Sequence, residues 1–285
     1  MPGTLFIVAT PIGNLEDLSF RALRTLKEVD VIAAEDTRRT SKLLAHYAVR
    51  KPLISLREHN ERRETPRLIA RLAAGESIAV VSDAGTPGIA DPGQHLVRAA
   101  REAGIKVTPI PGPSAVMAAL SATGIPSDRF MFVGFMPRSG SERTRWLEAV
   151  SKAEIPVVFF EAPHRIRRTV SELRTILVNR PIMIHRELSK IHEEYIEQPN
   201  IAITESGEFV VVIGPPADTD YAVDLGENTV QLATRMIDYL TKFESINDDV
   251  AEAMTSRAIS SDQRALRNAV KKARFKRRQD EEKLP

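Results

Sequence analysis

Residues 80–93 read VVSDAGTPGIADPG, in which two valines precede a run of small, acidic and conformationally special residues. Val80 and Val81 end an apolar stretch, so a buried strand is predicted to stop at Ser82. The three glycines and two prolines that follow disfavour both a helix and a further strand. Ordering such a segment costs conformational entropy and adds little apolar core, which suggests that it binds a ligand.

Outward from this loop, strand-like and helix-like patterns alternate along the first 120 residues. Short apolar runs predict strands, and apolar residues at helical spacing between them predict amphipathic helices. Such alternation is typical of a parallel sheet with helices on both faces. The predicted strands are 5–9, 31–34, 53–56, 77–81 and 105–110; one helix is predicted at 37–47, and Pro113 is predicted as the first residue of another.

A second unit is predicted to begin near residue 124. The sequence predicts strands 130–135, 157–160 and 182–185 and helices 143–150 and 166–177. Alternation in HEEYIEQ predicts that strands 193–197 and 209–213 form an antiparallel pair.

The chain is therefore predicted to be an α/β protein with three parts. Residues 1–120 form an N-terminal α/β domain with a parallel, Rossmann-like sheet that carries the substrate and cofactor loops. Residues 121–217 form a C-terminal α/β domain, and residues 218–285 a helical extension with a basic tail.

Composition and charge exclude several classes of site. The chain has no cysteine, which excludes disulfides, zinc–thiolate sites and cysteine nucleophiles and agrees with a reducing cytoplasm. No stretch of 18 apolar residues is present, and the first residues are predicted to be a strand rather than a signal peptide. Residues 219–256 hold two basic and eight acidic residues, whereas 257–285 hold ten basic and four acidic ones. The basic tail fits either a nucleic-acid contact or a solvated helix face.

Four predicted strand ends carry unusual chemistry. In an open parallel sheet, ligands bind beyond the carboxyl ends of the strands. Glycine and proline in any single turn are explained by a tight connection, but four such turns at one edge indicate a binding site. The four segments are 10–14, 34–38, 82–87 and 109–114.

The sequence excludes some ligands and favours another. It contains neither the G-x-G-x-x-G dinucleotide fingerprint after the first strand nor a P-loop, and its HEEY segment lacks the second histidine of a metalloprotease helix. A loop that exposes backbone N–H and C=O groups beside Asp83 suits a ligand with many polar edges and some positive charge. S-adenosylmethionine has these properties.

Six segments, in this order, carry a resemblance to a known family: VATPIGNLEDLSFRAL, AAEDTRRTSKLL, VVSDAGTPGIADPG, PIPGPSA, FFEAPHRI and RELSKIHEE. From about residue 4 to 213 the chain resembles the family of ribosomal RNA small-subunit methyltransferases I, 2′-O-ribose methylases of the tetrapyrrole-methylase superfamily. The resemblance implies two α/β domains, the second with a mixed sheet, and S-adenosylmethionine in the cleft between them. It also implies a cytoplasmic homodimer that acts on a cytidine of 16S RNA in the assembled 30S subunit, without a membrane contact; we assign no metal ligand.

The resemblance also implies which residues contact the cofactor. The SDAGTP loop corresponds to the superfamily's cofactor loop, in which Asp83 is the least replaceable residue. The PGPSA turn closes the same pocket, and two residues of the second domain cover the adenosine. The predicted contacts are Gly13, Asn14, Ser82, Asp83, Ala84, Gly85, Thr86, Pro87, Pro113, Ser114, Ala115, Phe160 and Glu161.

Methyl transfer to a ribose hydroxyl benefits from a group that accepts its proton. Either Glu35 or Asp36 is the predicted acceptor, with Arg38 and His59 positioning the RNA; alternatively, the Glu-Asp-Thr segment is only a helix N-cap. Arginine suits phosphate recognition, although solvated helix charge explains the arginines near 165 equally well. The further predicted RNA contacts are Arg39, Arg165, Arg186, Lys190, Lys271, Lys272 and Arg274.

Two other functions stay open at this point. One is methylation of a different acceptor, such as a tetrapyrrole carbon or a modified histidine of a protein. The other is a non-catalytic RNA-binding assembly factor that keeps the cofactor pocket as a structural element. The AEDTRRT and RELSKIHEE segments disfavour the first, and the intact SDAGTP loop disfavours the second.

Overall fold

A computed structural model describes residues 1–177, 180–197 and 203–216, together with a few helical positions further on: 233, 234, 237, 238, 255, 270 and 271. Residues 1–216 form one compact unit and residues 217–285 another. Lys271 is exposed on a helix, whereas Lys272 and Arg274 lie outside the described residues. Among the helices that are described, none has the length and apolar character needed to cross a bilayer.

The first sheet has five parallel strands in the order β3-β2-β4-β1-β5. β2 and β4 are buried along their whole length, as expected for strands covered on both faces. The predicted parallel sheet is confirmed, with strand ends within one residue of the predicted ones. The strands are β1 Thr4–Val8, β2 Val31–Ala34, β3 Leu53–Ser55, β4 Ile78–Val81 and β5 Lys106–Ile110.

Four helices cover the two faces of this sheet, as predicted. Leu26 of α1 and Leu44 of α2 share one apolar cluster, whereas Leu68 of α3 and Leu96 of α4 share the cluster on the opposite face. A short 3-10 helix, Leu15–Asp17, precedes α1. The helices are α1 Phe20–Glu28, α2 Thr37–His46, α3 Glu61–Ala73 and α4 Gln94–Glu102.

The connections make the carboxyl end of β4 a topological switch point. The chain leaves β1 and β2 toward the face covered by α1 and α2, but it leaves β4 toward the face of α3 and α4. Because β4 lies between β1 and β2, the general rule for open α/β sheets predicts a binding crevice beyond its carboxyl end. The chain that fills this position is the SDAGTP loop, residues 82–87.

The second sheet has the order β6-β7-β10-β8-β9 and is mixed. β6, β7 and β8 run in one direction, and β9 and β10 run in the other. The prediction that β9 and β10 pair with each other is wrong, because each is antiparallel to β8 and they lie on opposite sides of it. The all-apolar β10 is buried at every position and takes a central place, whereas the charged β9 forms the edge. The strands are β6 Met131–Phe135, β7 Val157–Glu161, β8 Ile182–Arg186, β9 Glu194–Glu197 and β10 Phe209–Ile213.

Three helices pack on the second sheet: α5 Ala115–Ser121, α6 Gly140–Ser151 and α7 Ile166–Ile176. The helices α6 and α7 cover one face, and α5 covers the other. The boundary at residue 120 thus falls within a helix of the second sheet, and the division into three domains stays a prediction. Pro113 does not open α5, because the Ser114 Oγ accepts a hydrogen bond from the Met117 N–H and makes Ser114 the N-cap.

Candidate active site

The loop after β4 is joined to the turn after β1 by backbone hydrogen bonds. The Thr10 N–H donates to the Gly85 carbonyl (2.9 Å), and the Gly85 N–H donates to the Thr10 carbonyl (3.0 Å). The Thr10 Oγ1 also donates to the Ser82 carbonyl (3.2 Å). Gly85 has a φ of +80°, a backbone conformation that residues other than glycine rarely adopt. The first residues of the loop are therefore held in one conformation.

The same loop exchanges hydrogen bonds with the turn after β2. The Asp83 N–H donates to the Glu35 Oε2 (3.1 Å), and the Asp36 N–H donates to the Asp83 Oδ1 (3.0 Å). The Arg39 guanidinium lies 3.4 Å from the Asp83 Oδ2. The carboxylate of Asp83 thus bridges two strand ends that are 47 residues apart in the sequence.

The PGPSA turn after β5 completes the group. The Thr86 Oγ1 donates to the Pro113 carbonyl (3.4 Å), and a Cβ at Gly112 would lie only 3.0 Å from the Ala9 Cβ. The predicted convergence of the four turns is therefore confirmed. His59 follows β3 at the same edge and is exposed, and the neighbouring Arg57 Nε donates to the Glu35 carbonyl (3.2 Å).

A turn of the second sheet, residues 187–190 after β8, lies against the turn after β1. A Cβ at Gly13 would lie 2.4 Å from the Lys190 Cγ, so only glycine permits this approach. The Ser189 Oγ donates a hydrogen bond to the Asp17 Oδ2, and the Ser189 N–H donates to the Glu193 Oε2 (2.7 Å). Glu187 and Ser189 both have positive φ, a strained conformation that is enriched at functional sites.

A cleft of about 490 Å³, within the range that small ligands occupy, lies between the turns after β1, β5 and β8 and the helix α5. Residues 82–87 and the proposed proton acceptors are not among the residues that line it. Pro113 and Ser114, two predicted cofactor contacts, line it. Asp17, Ser189 and Glu193 also line it and were missed from the sequence, although each lies within a segment that carries the resemblance. Asn14, another predicted contact, has its Oδ1 engaged with the Glu16 N–H (3.0 Å).

The two predicted proton acceptors lie in different electrostatic environments. Burial raises the pKa of Glu35, and the neighbouring charge of Asp83 raises it further, against the opposing hydrogen bond from Asp83 and the charge of Arg39. Hydrogen bonds from Arg38 hold the pKa of Asp36 well below its usual range. The Asp36 Oδ1 accepts from the Arg38 N–H (2.9 Å) and caps α2, which confirms the N-cap interpretation for that residue. Glu35 is thus the better proton acceptor of the two.

A further carboxylate, Asp91, lies in the second half of the loop. Burial, with repulsion from Glu35 and Asp83, raises its pKa from 3.8 to about 6. The folded protein therefore holds this proton more tightly than the unfolded chain does. Stability is expected to fall as the pH rises from about 4 to about 6, and to stay lower above that range.

Asp91→Asn is accordingly expected to stabilise the protein at about pH 8, by about 1 kcal/mol once solvent screening is allowed for, and to have no effect below about pH 4. Urea unfolding at both pH values measures the difference. Asp128→Asn, at an exposed loop position, is the control and is expected to change stability at neither pH. An equal effect of Asp91→Asn at both pH values would contradict the assignment.

The predicted RNA contacts differ in exposure. Arg39 is well exposed, with 65% of its side chain accessible. Three further predicted RNA contacts in residues 1–216 are largely enclosed. Arg165 pairs with Glu161, and Arg186 and Lys190 pair with other carboxylates. RNA binding by these three stays a prediction, and their ion pairs disfavour it.

Phe160 and Glu161, predicted to cover the adenosine, end β7. The Phe160 ring is half-buried beside α5 and contacts the rings of Phe132 and Phe135. Glu161 is 2% exposed, and its carboxylate accepts from Thr169 and Arg165, each at 2.5 Å. The partly exposed Phe160 ring remains available to a ligand. The Glu161 carboxylate is instead occupied by contacts within the second sheet's unit, with Thr169 and Arg165 of the segment that follows β7.

Comparisons with known proteins agree with this geometry. Residues 4–204 match the family model described as tetrapyrrole (corrin/porphyrin) methylases. A Xylella fastidiosa protein named ribosomal RNA small subunit methyltransferase I is 50% identical over 231 residues, 78% of this chain and 85% of its own. Proteins of the same name from Pseudomonas aeruginosa (52% identical, covering 67% of this chain and 68% of that one) and Synechocystis (47%, covering 76% and 81%) are also similar.

The chain belongs to the tetrapyrrole methylase family. Two solved structures show how far the fold of this tetrapyrrole methylase is shared. Diphthine synthase matches with a TM-score of 0.59 at 17% identity, over 74% of this chain and 90% of that one. Uroporphyrin-III C-methyltransferase of Thermus thermophilus, in complex with S-adenyl homocysteine, matches with a TM-score of 0.53 at 17% identity, over 74% and 97%. The predicted fold class is confirmed.

Proposed function

We propose that this tetrapyrrole methylase transfers the methyl group of S-adenosylmethionine to the ribose 2′-oxygen of a cytidine in 16S ribosomal RNA of the small subunit. The observation that carries the proposal is the SDAGTP loop, held at the switch point of β4 by the turns after β1 and β2. Near 50% identity to proteins named ribosomal RNA small subunit methyltransferase I supports the RNA substrate.

The residues at this edge fit S-adenosylmethionine. The ligand carries a sulfonium and an ammonium, and the carboxylates of Asp17 and Glu193 line the cleft. The Thr86 hydroxyl joins the loop 82–87 to the turn that lines the cleft through Pro113 and Ser114, so backbone groups of this loop are proposed to contact the ligand at the margin of the cleft. Gly13 allows the β8 turn to approach. Phe160 offers an apolar surface for a base.

Bound there, the cofactor supplies a methyl group that its sulfonium already activates. Most of the acceleration is then expected from holding the acceptor in line. A ribose hydroxyl is a poor nucleophile, so Glu35 takes its proton on Oε1, the oxygen that accepts no hydrogen bond within the described part of the chain. Its raised pKa makes Glu35 a better acceptor than an ordinary surface carboxylate.

The RNA is proposed to approach over the exposed cations of the same edge and over the basic tail. Arg38 and Arg39 are exposed at the start of α2, and His59 is exposed beyond β3. Lys271, Lys272 and Arg274 extend the positive charge along the sequence. Arg165, Arg186 and Lys190 are proposed only as secondary contacts, because their charges are paired within the protein.

Replacing Lys271, Lys272 and Arg274 by alanine is expected to make 30S binding less dependent on salt. The slope of the logarithm of the association constant against the logarithm of the salt concentration becomes less negative by about 2 to 3. Each phosphate contact that is lost means that about one fewer counterion is released from the RNA on binding, so the affinity depends less steeply on salt. Filter binding across a salt series measures the slope. The control replaces Lys27, Arg101 and Lys106, exposed cations toward the opposite edge of the first sheet, and is expected to leave it unchanged. Equal slopes for both triple variants would remove the tail from the interface.

Labelled S-adenosylmethionine and 30S subunits from a strain that lacks the corresponding methylase test the function as a whole. Label at a cytidine 2′-oxygen is the expected result. Label on a tetrapyrrole or protein acceptor instead would assign the other enzymatic function. Cofactor binding without transfer would indicate an assembly factor. The resemblance also supports a cytoplasmic location and a homodimer; sedimentation of the purified protein tests the homodimer.

A further inference from the structure

Glu61, the first residue of α3, is a carboxylate that is almost completely buried, with 4% of the residue exposed. Its Oε1 accepts hydrogen bonds from the backbone N–H groups of Gly93 (3.1 Å), His95 (2.8 Å) and Leu96 (3.1 Å). These N–H groups form the amino end of α4, the helix that ends the loop 82–93. Gly93 is the N-cap and has no side chain to accept these bonds, so Glu61 caps α4 from a neighbouring helix.

A buried carboxylate is tolerated only where hydrogen bonds replace its hydration. Three backbone donors and the positive end of a helix dipole supply that replacement here. The packing of α3 on α4 does not need the carboxylate, because Leu68, Leu72, Leu96 and Ala100 already form a shared apolar cluster. What Glu61 adds is a fixed position for the point where the loop enters α4.

The two ends of the loop are held by different means. Its beginning is fixed by the hydrogen bonds of Asp83 and Gly85 to the turns after β1 and β2. Farther along, the Gly88 N–H donates to the Pro92 carbonyl (3.2 Å), within the loop itself, and Ala90 has the uncommon φ of +61°. The Asp91 side chain also hydrogen-bonds to Ser82 at the start of the loop. In the described part of the chain, Glu61 joins the distal end of the loop to the helix α3.

Glu61 also directly follows the turn after β3. The Asn60 Oδ1 accepts from the Arg57 N–H (2.7 Å), and the Asn60 Nδ2 donates to the Ser55 carbonyl (3.2 Å). Arg57 in turn donates to the carbonyl of Glu35. One set of hydrogen bonds thus joins the proposed proton acceptor, the turn that carries His59 and the end of the loop.

We propose that Glu61 is a positioning residue for the methyl donor: by capping α4 it keeps the loop 82–93 in its binding conformation. This inference rests on the proposed function. Without the cap, a smaller fraction of molecules has an ordered loop, and the apparent dissociation constant rises by the inverse of that fraction. The chemical step, once the donor is bound, is unchanged because Glu61 does not touch the reacting atoms.

Glu61→Gln tests the inference, with Thr65→Val as the matched control. Thr65 lies one turn further along α3, is also buried, and its Oγ1 donates to the Glu61 carbonyl (2.7 Å) without contacting α4's capped N–H groups. In Glu61→Gln a neutral oxygen replaces the charged one, so all three hydrogen bonds to α4 and the interaction with its dipole are weakened although their geometry is kept. The amides of Gly93, His95 and Leu96 are therefore expected to exchange faster. The Kd and KM for S-adenosylmethionine rise on the order of tenfold, while kcat at saturating donor stays within about twofold. Thr65→Val changes neither these amides nor KM.

Calorimetry of the wild type with S-adenosylmethionine separates the two claims. A wild type that fails to bind would overturn the proposed function and this inference together. A wild type that binds and a Glu61→Gln variant with equal affinity would overturn the inference alone, as would a loss of kcat without a change in KM. If Glu61→Gln does not fold, Glu61→Asp, which keeps the charge but is one carbon shorter, is expected to give the same pattern with smaller changes.

Discussion

Asp83→Ala is expected to abolish measurable binding of S-adenosylmethionine, raising its Kd at least roughly a hundredfold, while the protein stays folded. The substitution removes the acceptor for the Asp36 N–H and the partner of Arg39. The turn after β2 and the loop after β4 then lose the bridge that fixes them. Isothermal calorimetry measures the affinity, and circular dichroism confirms the fold.

Asp30→Ala is the matched control for this experiment. The Asp30 Oδ2 accepts from the Ser77 N–H (2.7 Å), so it also joins the segments of β2 and β4, but at the amino edge of the sheet. A comparable loss of stability, on the order of 1 kcal/mol, is expected from both variants. Only Asp83→Ala is expected to lose the cofactor. Unchanged affinity in that variant would exclude the loop from the binding site.

Glu35→Gln is expected to lower kcat on the order of a hundredfold, with the affinity for S-adenosylmethionine changed by less than about threefold. The glutamine oxygen still accepts from the Asp83 N–H, so the loop keeps its position, but the side chain no longer takes a proton. In the wild type, kcat rises with pH as Glu35 loses its proton, and its raised pKa moves this rise above the ordinary carboxylate range. The variant's residual rate is expected to lack this dependence.

Asp36→Asn is the comparison for Glu35→Gln. Asparagine caps a helix as well as aspartate does, so α2 is preserved while the charge that pairs with Arg38 is removed. Its kcat is expected to change less than about fivefold, because the low pKa of Asp36 makes it a poor proton acceptor. Single-turnover rates with 30S subunits measure both variants. A larger loss in Asp36→Asn would reverse the assignment.

Ionisation of Glu35 also has a consequence for stability. Because its pKa is raised on folding, the folded state binds the proton more tightly, and stability falls as the pH rises through that pKa. Glu35→Gln is therefore expected to retain or gain stability at neutral pH. A variant that loses activity but not stability would indicate that Glu35 acts in catalysis and not in folding.

The positions of the strands and helices followed from the sequence because they depend on local patterns. Apolar runs such as IAVV and FVVVI predict buried strands, and Leu68 and Leu72 at helical spacing predict the buried face of α3. The neighbouring turns were also predictable, since glycine, proline and capping residues act within a few positions. Their convergence followed from one rule, that parallel strands share a carboxyl edge.

Sequence patterns did not predict which strands and side chains pair across the fold. β9 and β10 were assigned to each other although β8 separates them, because alternation reports that a strand has two unlike faces and not which neighbour it has. The contacts of Glu61 with α4 and of Ser189 with Asp17 join residues that are 32 to 35 and 172 positions apart. No local signal encodes such pairs.

By itself, the sequence determined the α/β class, the parallel first sheet and the irregular glycine- and proline-rich loop at the end of β4, because hydrophobic periodicity and turn chemistry operate over a few residues. Only the tertiary structure decided that Asp36 is engaged as a helix cap while Glu35 is half-buried with a raised pKa, and that Glu61 holds the loop from a distance. Burial and hydrogen-bond geometry set these properties, and both arise only when the crossover connections bring distant segments together.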